Sequence, residues 1–183
     1  MAAWKKKRKI MGRYDVTAES YDEQYADEQR RKYRAALGSV DVDEKNLLDV
    51  GCGSGLFFLE VAEKAGIVVG VDVSRKLLKK ANRHTKEYPN FFVLQADADH
   101  LPFADEFFGS VFTFTVLQNM PKPDKTLAEL KRVATAGGRI VVTGLKKAFT
   151  ISEFMDVLEG SSLQVETFKD DEAINCYIAV LTA

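Results

Sequence analysis

Residues 47–55 read Leu47-Leu48-Asp49-Val50-Gly51-Cys52-Gly53-Ser54-Gly55: an apolar strand pattern that runs straight into a glycine-rich turn. An apolar helical pattern over 56–64 follows at once and is closed by Gly66. A strand, a tight glycine turn and a helix in immediate succession form the opening unit of a doubly wound sheet. Such a unit cradles a nucleotide-like ligand at the carboxyl end of its strand.

The rest of the chain repeats that alternation. The β-branched run 67–73 predicts a second strand, and Ser74 a helix N-cap ahead of a helix over 75–86. Further strands are predicted at 91–95, 110–116 and 139–143, the last led in by the turn residues Gly137 and Gly138. Pro121 and Pro123 mark the start of a helix reaching Val133, and 151–158 reads as another. Upstream, 18–37 has a helical pattern that Gly38 ends. Strand patterns at 165–168 and 177–181 are separated only by a short polar segment, so they are expected to pair as an antiparallel hairpin. The implied fold is α/β: a doubly wound, mostly parallel seven-stranded sheet with an antiparallel C-terminal hairpin strand.

With 183 residues, 46% hydrophobic and 29% charged, the chain is expected to form one domain over 14–183. No apolar run is long enough to span a bilayer, and no apolar core follows the basic N-terminus, so neither a membrane anchor nor a secretory signal is expected. Cys52 and Cys176 read as reduced thiols of a cytoplasmic protein. His84 and His100 stand in no metal-ligand spacing, so no bound metal is expected. Charge is uneven: Lys5, Lys6, Lys7, Arg8, Lys9 and Arg13 meet no acid within 1–13, while the remainder carries a net −7. Residues 1–13 are expected to be a disordered basic arm. Alternatives are a nucleic-acid tether and a start site at Met11.

The glycine spacing narrows the ligand. The dinucleotide fingerprint needs a glycine where this chain has Leu56, and no Lys-Ser/Thr pair follows the turn as a P-loop requires. Asp49, two residues before the first glycine, is poorly suited to a pyrophosphate. It suits a ligand that carries an ammonium and a sulfonium.

Asp49-x-Gly51-x-Gly53-x-Gly55, Val71-Asp72-Val73-Ser74, Gln95-Ala96-Asp97-Ala98 and Leu101-Pro102-Phe103, in that order, resemble the class I, Rossmann-like S-adenosylmethionine-dependent methyltransferases. The likeness lies in the broad branch that includes the ubiquinone- and menaquinone-biosynthesis type, and it covers 14–142. It implies S-adenosyl-L-methionine as cofactor. Gly51, Cys52, Gly53 and Gly55 would form the loop under the methionine part, and Asp49 would face its cationic end. Asp72 would accept both ribose hydroxyls, since only an ionised carboxylate offers acceptors without donors. Asp97 would accept the adenine amino group, with Val73 and Ala98 against the ring. Thr115 and Leu117 would border the methyl group. Gln118 and Asn119 would position the acceptor, and Tyr21, one turn from Tyr25, would belong to an N-terminal lid that carries Tyr-Asp pairs at 14–15 and 21–22.

The acceptor is less constrained. The Asn-Pro-Pro-Tyr signature of exocyclic-amine and glutamine methylation is absent after the fourth strand, and so is a cysteine for covalent pyrimidine chemistry. The absence of a long insertion after that strand favours a macromolecular acceptor, RNA or protein, over a metabolite. The third strand, Phe91-Phe92-Val93-Leu94, would be an apolar sheet edge that can take up a partner strand. It resembles the arrangement in RNA and protein methyltransferases that need a small zinc-binding activator subunit. A small-molecule methyltransferase and a non-catalytic cofactor-binding subunit remain alternatives. The basic clusters Arg30, Arg31, Lys32, Arg34 and Arg75–Lys86 read as solvated helix faces.

Overall fold

A computed structural model describes residues 2–183, without the side chains of Ala2, Ala3, Ser20, Tyr21 and Gln24. The chain opens with helices α1 (Ala2–Thr17) and α2 (Tyr21–Leu37), joined by a 3-10 turn at Ala18–Ser20. The strands are β1 (Leu47–Val50), β2 (Val68–Asp72), β3 (Phe91–Gln95), β4 (Phe108–Thr113), β5 (Ala134–Leu145), β6 (Gln164–Lys169) and β7 (Cys176–Thr182). Helices α3 (Leu56–Val61), α4 (Arg75–His84), α5 (Pro123–Val133) and α6 (Ile151–Glu159) fill the connections after β1, β2, β4 and β5.

All seven strands form one sheet in the order β3-β2-β1-β4-β5-β7-β6. Neighbours from β3 to β5 are parallel, and β7 runs antiparallel to both β5 and β6. This is the doubly wound sheet with a reversed C-terminal strand that the sequence implied. Strand order turns back between β1 and β4, and a ligand crevice forms at the carboxyl ends of strands at such a point. Several boundaries shift from the sequence reading, most at the end of β4 and the start of β5. β4 stops at Thr113 because Thr115 takes a left-handed backbone with φ 62°. β5 starts already at Ala134, because a register irregularity between Phe108 and Ser110 lets it pair across the Gly137–Gly138 turn.

The sheet buries both faces. Successive strand residues point to opposite sides, so Leu47 joins a cluster with Phe57, Phe58 and Phe112, while Leu48 joins one with Leu127, Leu130 and Phe154. The first cluster is aromatic. Phe57 lies 4.7 Å from Phe112 between ring centroids, and Tyr33 of α2 lies 4.7 Å edge-on to Phe114. Each such fully buried ring contributes roughly 1.5–3 kcal/mol. Tyr33 thereby fixes α2 over β4. Gly70 is the position on β2 where this layer is tightest. A Cβ there would lie 2.4 Å from Phe58 Cζ and 2.8 Å from Cys52 Sγ, so the ring and the thiol both need its bare backbone.

The N-terminal segment differs from the expected disordered arm. Residues 2–17 form α1, and Lys7 is buried against Asp97 and Asp99. Alanine, lysine and arginine are strong helix formers. The charge that would repel itself in solution is here drawn onto an acidic corner of the body. No helix among the described residues is long and apolar enough to cross a membrane.

Candidate active site

A cavity of about 670 Å3 opens at the carboxyl ends of β1, β2 and β4, where the strand order reverses. Gly51 and Gly53 form its floor, Asp72 and Val73 one side, and α1 and α2 its roof, with Tyr14, Tyr25 and Lys32 facing inward. The floor needs bare backbone. Gly51 has φ 81°, and a Cβ on it would lie 2.3 Å from Val116 Cγ2.

Asp72, at the end of β2, is held by the glycine loop and by the start of α4. Its Oδ2 accepts from Gly53 N at 3.0 Å and its Oδ1 from Ser74 N at 2.7 Å. Burial pushes this carboxyl up, and those N–H groups with that of Val73 pull it back. Ser74 is also the N-cap of α4, accepting from Leu77 N at 3.2 Å, and its hydroxyl donates to Asp15 of α1 at 2.6 Å. Asp22 of α2 accepts from Ser54 in the glycine loop and from Lys80 Nζ at 3.4 Å. The acids of both Tyr-Asp pairs thus fasten the roof to the floor.

Asp97 and Ala98 line the cavity beyond β3. Asp97 Oδ1 accepts from Lys7 Nζ at 2.5 Å and from Asp99 N at 3.0 Å. Burial raises the Asp97 carboxyl, but the Lys7 ammonium, the Asp99 N–H and His100 outweigh it and hold it below the usual carboxylate range.

The inner end is built around Thr115. Its N–H donates to Thr143 Oγ1 at 2.7 Å, and its carbonyl accepts from Gln118 Nε2 at 2.6 Å and Asn119 Nδ2 at 3.2 Å. Its hydroxyl accepts from Lys32 Nζ at 2.9 Å. Asn119 also donates to Tyr14 Oη at 3.3 Å. A left-handed backbone at a β-branched residue costs on the order of 1–3 kcal/mol and persists only where the surroundings over-determine it. Four side chains do so here.

The segment 48–142, about half of the chain, matches the methyltransferase domain family. The chain belongs to that family. A demethylmenaquinone methyltransferase of Renibacterium salmoninarum is 35% identical over 133 residues, covering 73% of this chain and 54% of the relative. The chain spans about half the length of the curated relatives it matches. A SAM-dependent methyltransferase from Aquifex aeolicus shares the fold with a TM-score of 0.77 at 18% identity, over 91% of this chain and 97% of that one. So does a chain of the complex between the Haloferax volcanii Trm112 methyltransferase activator and a methyltransferase, with a TM-score of 0.80 at 18% identity over 93% and 97%.

Within this methyltransferase domain, Gly51, Gly53, Asp72, Val73, Asp97, Ala98, Thr115, Gln118 and Asn119 meet around the one cavity. Asp49, Cys52, Gly55 and Leu117 do not line it. Cys52 turns toward Gly70 beneath the loop, where burial pushes its thiol well up and away from thiolate chemistry. Gly55 abuts Ala81 of α4, and Leu117 lies in the core under the site. Tyr21 starts α2, but its side chain lies outside the described residues.

Asp49 lies under the floor, buried, with Oδ1 lacking any partner. Burial, and then the neighbouring Asp72, push its carboxyl up to about 8. A cationic ligand above Gly51 favours the ionised carboxylate, so this orphan oxygen and the bare floor fit the ammonium and sulfonium end of S-adenosylmethionine. Among the described residues no group of three or more His, Cys, Asp or Glu is placed to hold a metal ion.

Two residues of the cavity wall escaped the sequence reading. Lys7 sits in a run of like charge, and Lys32 in a basic cluster that reads as solvated, yet Lys32 is 3% exposed. Its neighbours Arg30, Arg31 and Arg34 do face solvent. The signal was the helical offset: Lys32 shares its face with Gln29 and Ala36, both buried.

Proposed function

We propose that this chain is an S-adenosylmethionine-dependent methyltransferase of the cytoplasm that acts on a macromolecule, RNA or protein, with a small zinc-binding activator subunit added along β3. The carrying observation is the state of that edge. β3 pairs only with β2, its outer backbone meets no strand among the described residues, and Phe92 and Leu94 are 52% and 43% exposed. An unpaired apolar edge is a template for strand addition. The Haloferax volcanii neighbour, solved with an activator and alike over nearly the whole of both chains, supports the same reading.

When bound, the cofactor supplies a methyl group already activated by its sulfonium. The chain supplies placement. Asp72 offers two acceptor oxygens to the ribose, with Val73 and Ala98 beside the base. Gln118 and Asn119, both tied to the Thr115 carbonyl, present their remaining polar atoms to the acceptor. Gln118 Oε1 is buried with no hydrogen-bond partner, so it awaits a donor. Tyr14 and the two N-terminal helices exclude water from above.

A small-molecule acceptor is the second reading. It is favoured by the roofed cavity, whose volume falls in the range of about 300–1,000 Å3 that holds compact ligands, and by the demethylmenaquinone methyltransferase relative. Two measurements separate them. Co-expression with a small zinc-binding activator protein is expected to give a one-to-one complex on gel filtration, lost in Phe92→Asp/Leu94→Asp. Radiolabelled methyl transfer into fractionated cell extract is expected to mark RNA or protein. Label in the metabolite fraction alone overturns the proposal.

A further inference from the structure

Two lysines of the roof are buried, and they differ in one respect. Lys7 meets two carboxylates. Lys32 has no carboxylate within ion-pair distance among the described residues; its partners are the Thr115 hydroxyl at 2.9 Å and the Cys176 thiol at 3.9 Å. Glu28, one turn back on α2, lines the same cavity and accepts from Asn175 N at 3.1 Å. A buried cation without a counter-charge is costly unless something supplies the missing negative charge. Lys32 faces the cavity, so a ligand can supply it.

We propose that Lys32 is an acceptor-binding residue, its ammonium taking an anionic oxygen of the methyl acceptor at the inner end of the cavity. Position supports this. Residues fitted to the cofactor stand on the ends of β1, β2 and β3, whereas Lys32 stands over the far side, at Thr115 beyond β4 and Cys176 on β7. Glu28, Lys147 and Asn175 line the same end; Glu28 is engaged by the Asn175 N–H, and Lys147 adds a second cation to the chamber. Gln118 is fixed to the Thr115 carbonyl from the other side, so Thr115 carries both the cation and the polar amide that flank the acceptor. Burial pulls the Lys32 amine below its ordinary value, against the pull of Cys176 and Glu28, and an incoming anion opposes that shift.

The inference rests on the methyltransferase reading and deepens it. The cofactor's own α-carboxylate has the same chemistry as an anionic acceptor, so the test has two arms, both run by calorimetry on the full chain. In the first, S-adenosylhomocysteine and 5′-methylthioadenosine, which lacks the amino-acid end, are titrated into wild type and Lys32→Met. Affinity for S-adenosylhomocysteine is expected to stay within about threefold. A loss of about tenfold or more, with 5′-methylthioadenosine unaffected, would mean that Lys32 grips the cofactor, and overturns the proposal. In the second arm, acetate and its neutral isostere acetamide are titrated into protein saturated with S-adenosylhomocysteine. Acetate is expected to bind wild type and Lys32→Arg, and to bind Lys32→Met at least about tenfold more weakly, as loss of a charge-assisted hydrogen bond predicts. Acetamide is expected to bind none of them. Equal acetate binding to Lys32→Met, or acetamide binding as well as acetate, overturns it. Should Lys32→Met not fold, lysine side-chain NMR of wild type decides: acetate is expected to move one buried lysine signal, and movement of none overturns the proposal. Failure of the methyltransferase reading itself would appear separately, as wild type that takes up no S-adenosylhomocysteine.

Discussion

The two ends of the cavity are charged in opposite ways. At the outer end, Asp72 and Asp97 finish adjacent strands, and the chain answers both from within: backbone N–H groups for Asp72, Lys7 for Asp97. At the inner end the buried amine of Lys32 donates to a hydroxyl and a thiol and has no acid within ion-pair distance among the described residues. On the proposed assignment the outer end is complete as a receptor for a polar, neutral sugar and base. The inner end is incomplete without a ligand. A methyl-transfer site needs this division, because the cofactor is constant and its half can be fully organised beforehand, while the acceptor half gains specificity from what it leaves unsatisfied.

The contrast can be broken first at Asp72. Asp72→Ala is expected to weaken S-adenosylhomocysteine binding at least about a hundredfold by calorimetry, since two hydrogen bonds to a charged group are lost at once. Unchanged affinity would remove the outer end from cofactor binding.

Next comes the buried acid beneath the floor. Burial, and then the neighbouring Asp72, push the Asp49 carboxyl up to about 8 from an ordinary 3.8. The folded state keeps a proton that the unfolded chain releases, so this contribution to stability falls as pH rises from about 4 to about 8. Asp49→Asn is expected to flatten that slope and to melt well above the parent at pH 8 but close to it at pH 5. Parallel melting curves would mean that Asp49 is not held neutral.

A smaller effect, about 2 kcal/mol, is expected for Gly51→Ala, from the strained backbone and the contact with Val116. Adding Val116→Ala should restore the steric share and leave the conformational share, as read by thermal denaturation. The smallest concerns the roof: Lys7→Met is expected to speed proteolytic cleavage within α1 about threefold, with Lys5→Met as an exposed control that changes nothing.

Most of the outer end could be read from the chain because it is local. Gly51, Asp72 and Asp97 each follow a strand pattern within a few residues, and the parallel order of β1 to β5 then brings them together. The inner end is assembled from distant pieces. Lys32 contacts Thr115 across 83 positions and Cys176 across 144. The helical offset groups it with Gln29 and Ala36 and apart from Arg30, Arg31 and Arg34, but only the docking of Tyr33 against Phe114 decides that this face turns inward. The same holds for α1. A run of lysines reads as a repelling tail until Asp97 and Asp99, some ninety positions away, are folded against it. Asp49 was legible as part of the glycine motif, but its depth was not, because strand alternation alone does not say that the loop closes over it.

Thr115 joins three other parts of the molecule: β5 through Thr143, α2 through Lys32, and the turn ahead of α5 through Gln118 and Asn119. Such a joint transmits displacement. An acceptor that tugs on the lysine also loads the amides and, through the threonine backbone, a strand in the middle of the sheet. Thr143→Val, which removes the acceptor of the Thr115 N–H, is therefore expected to weaken binding of a ligand at Lys32 although Thr143 does not line the chamber.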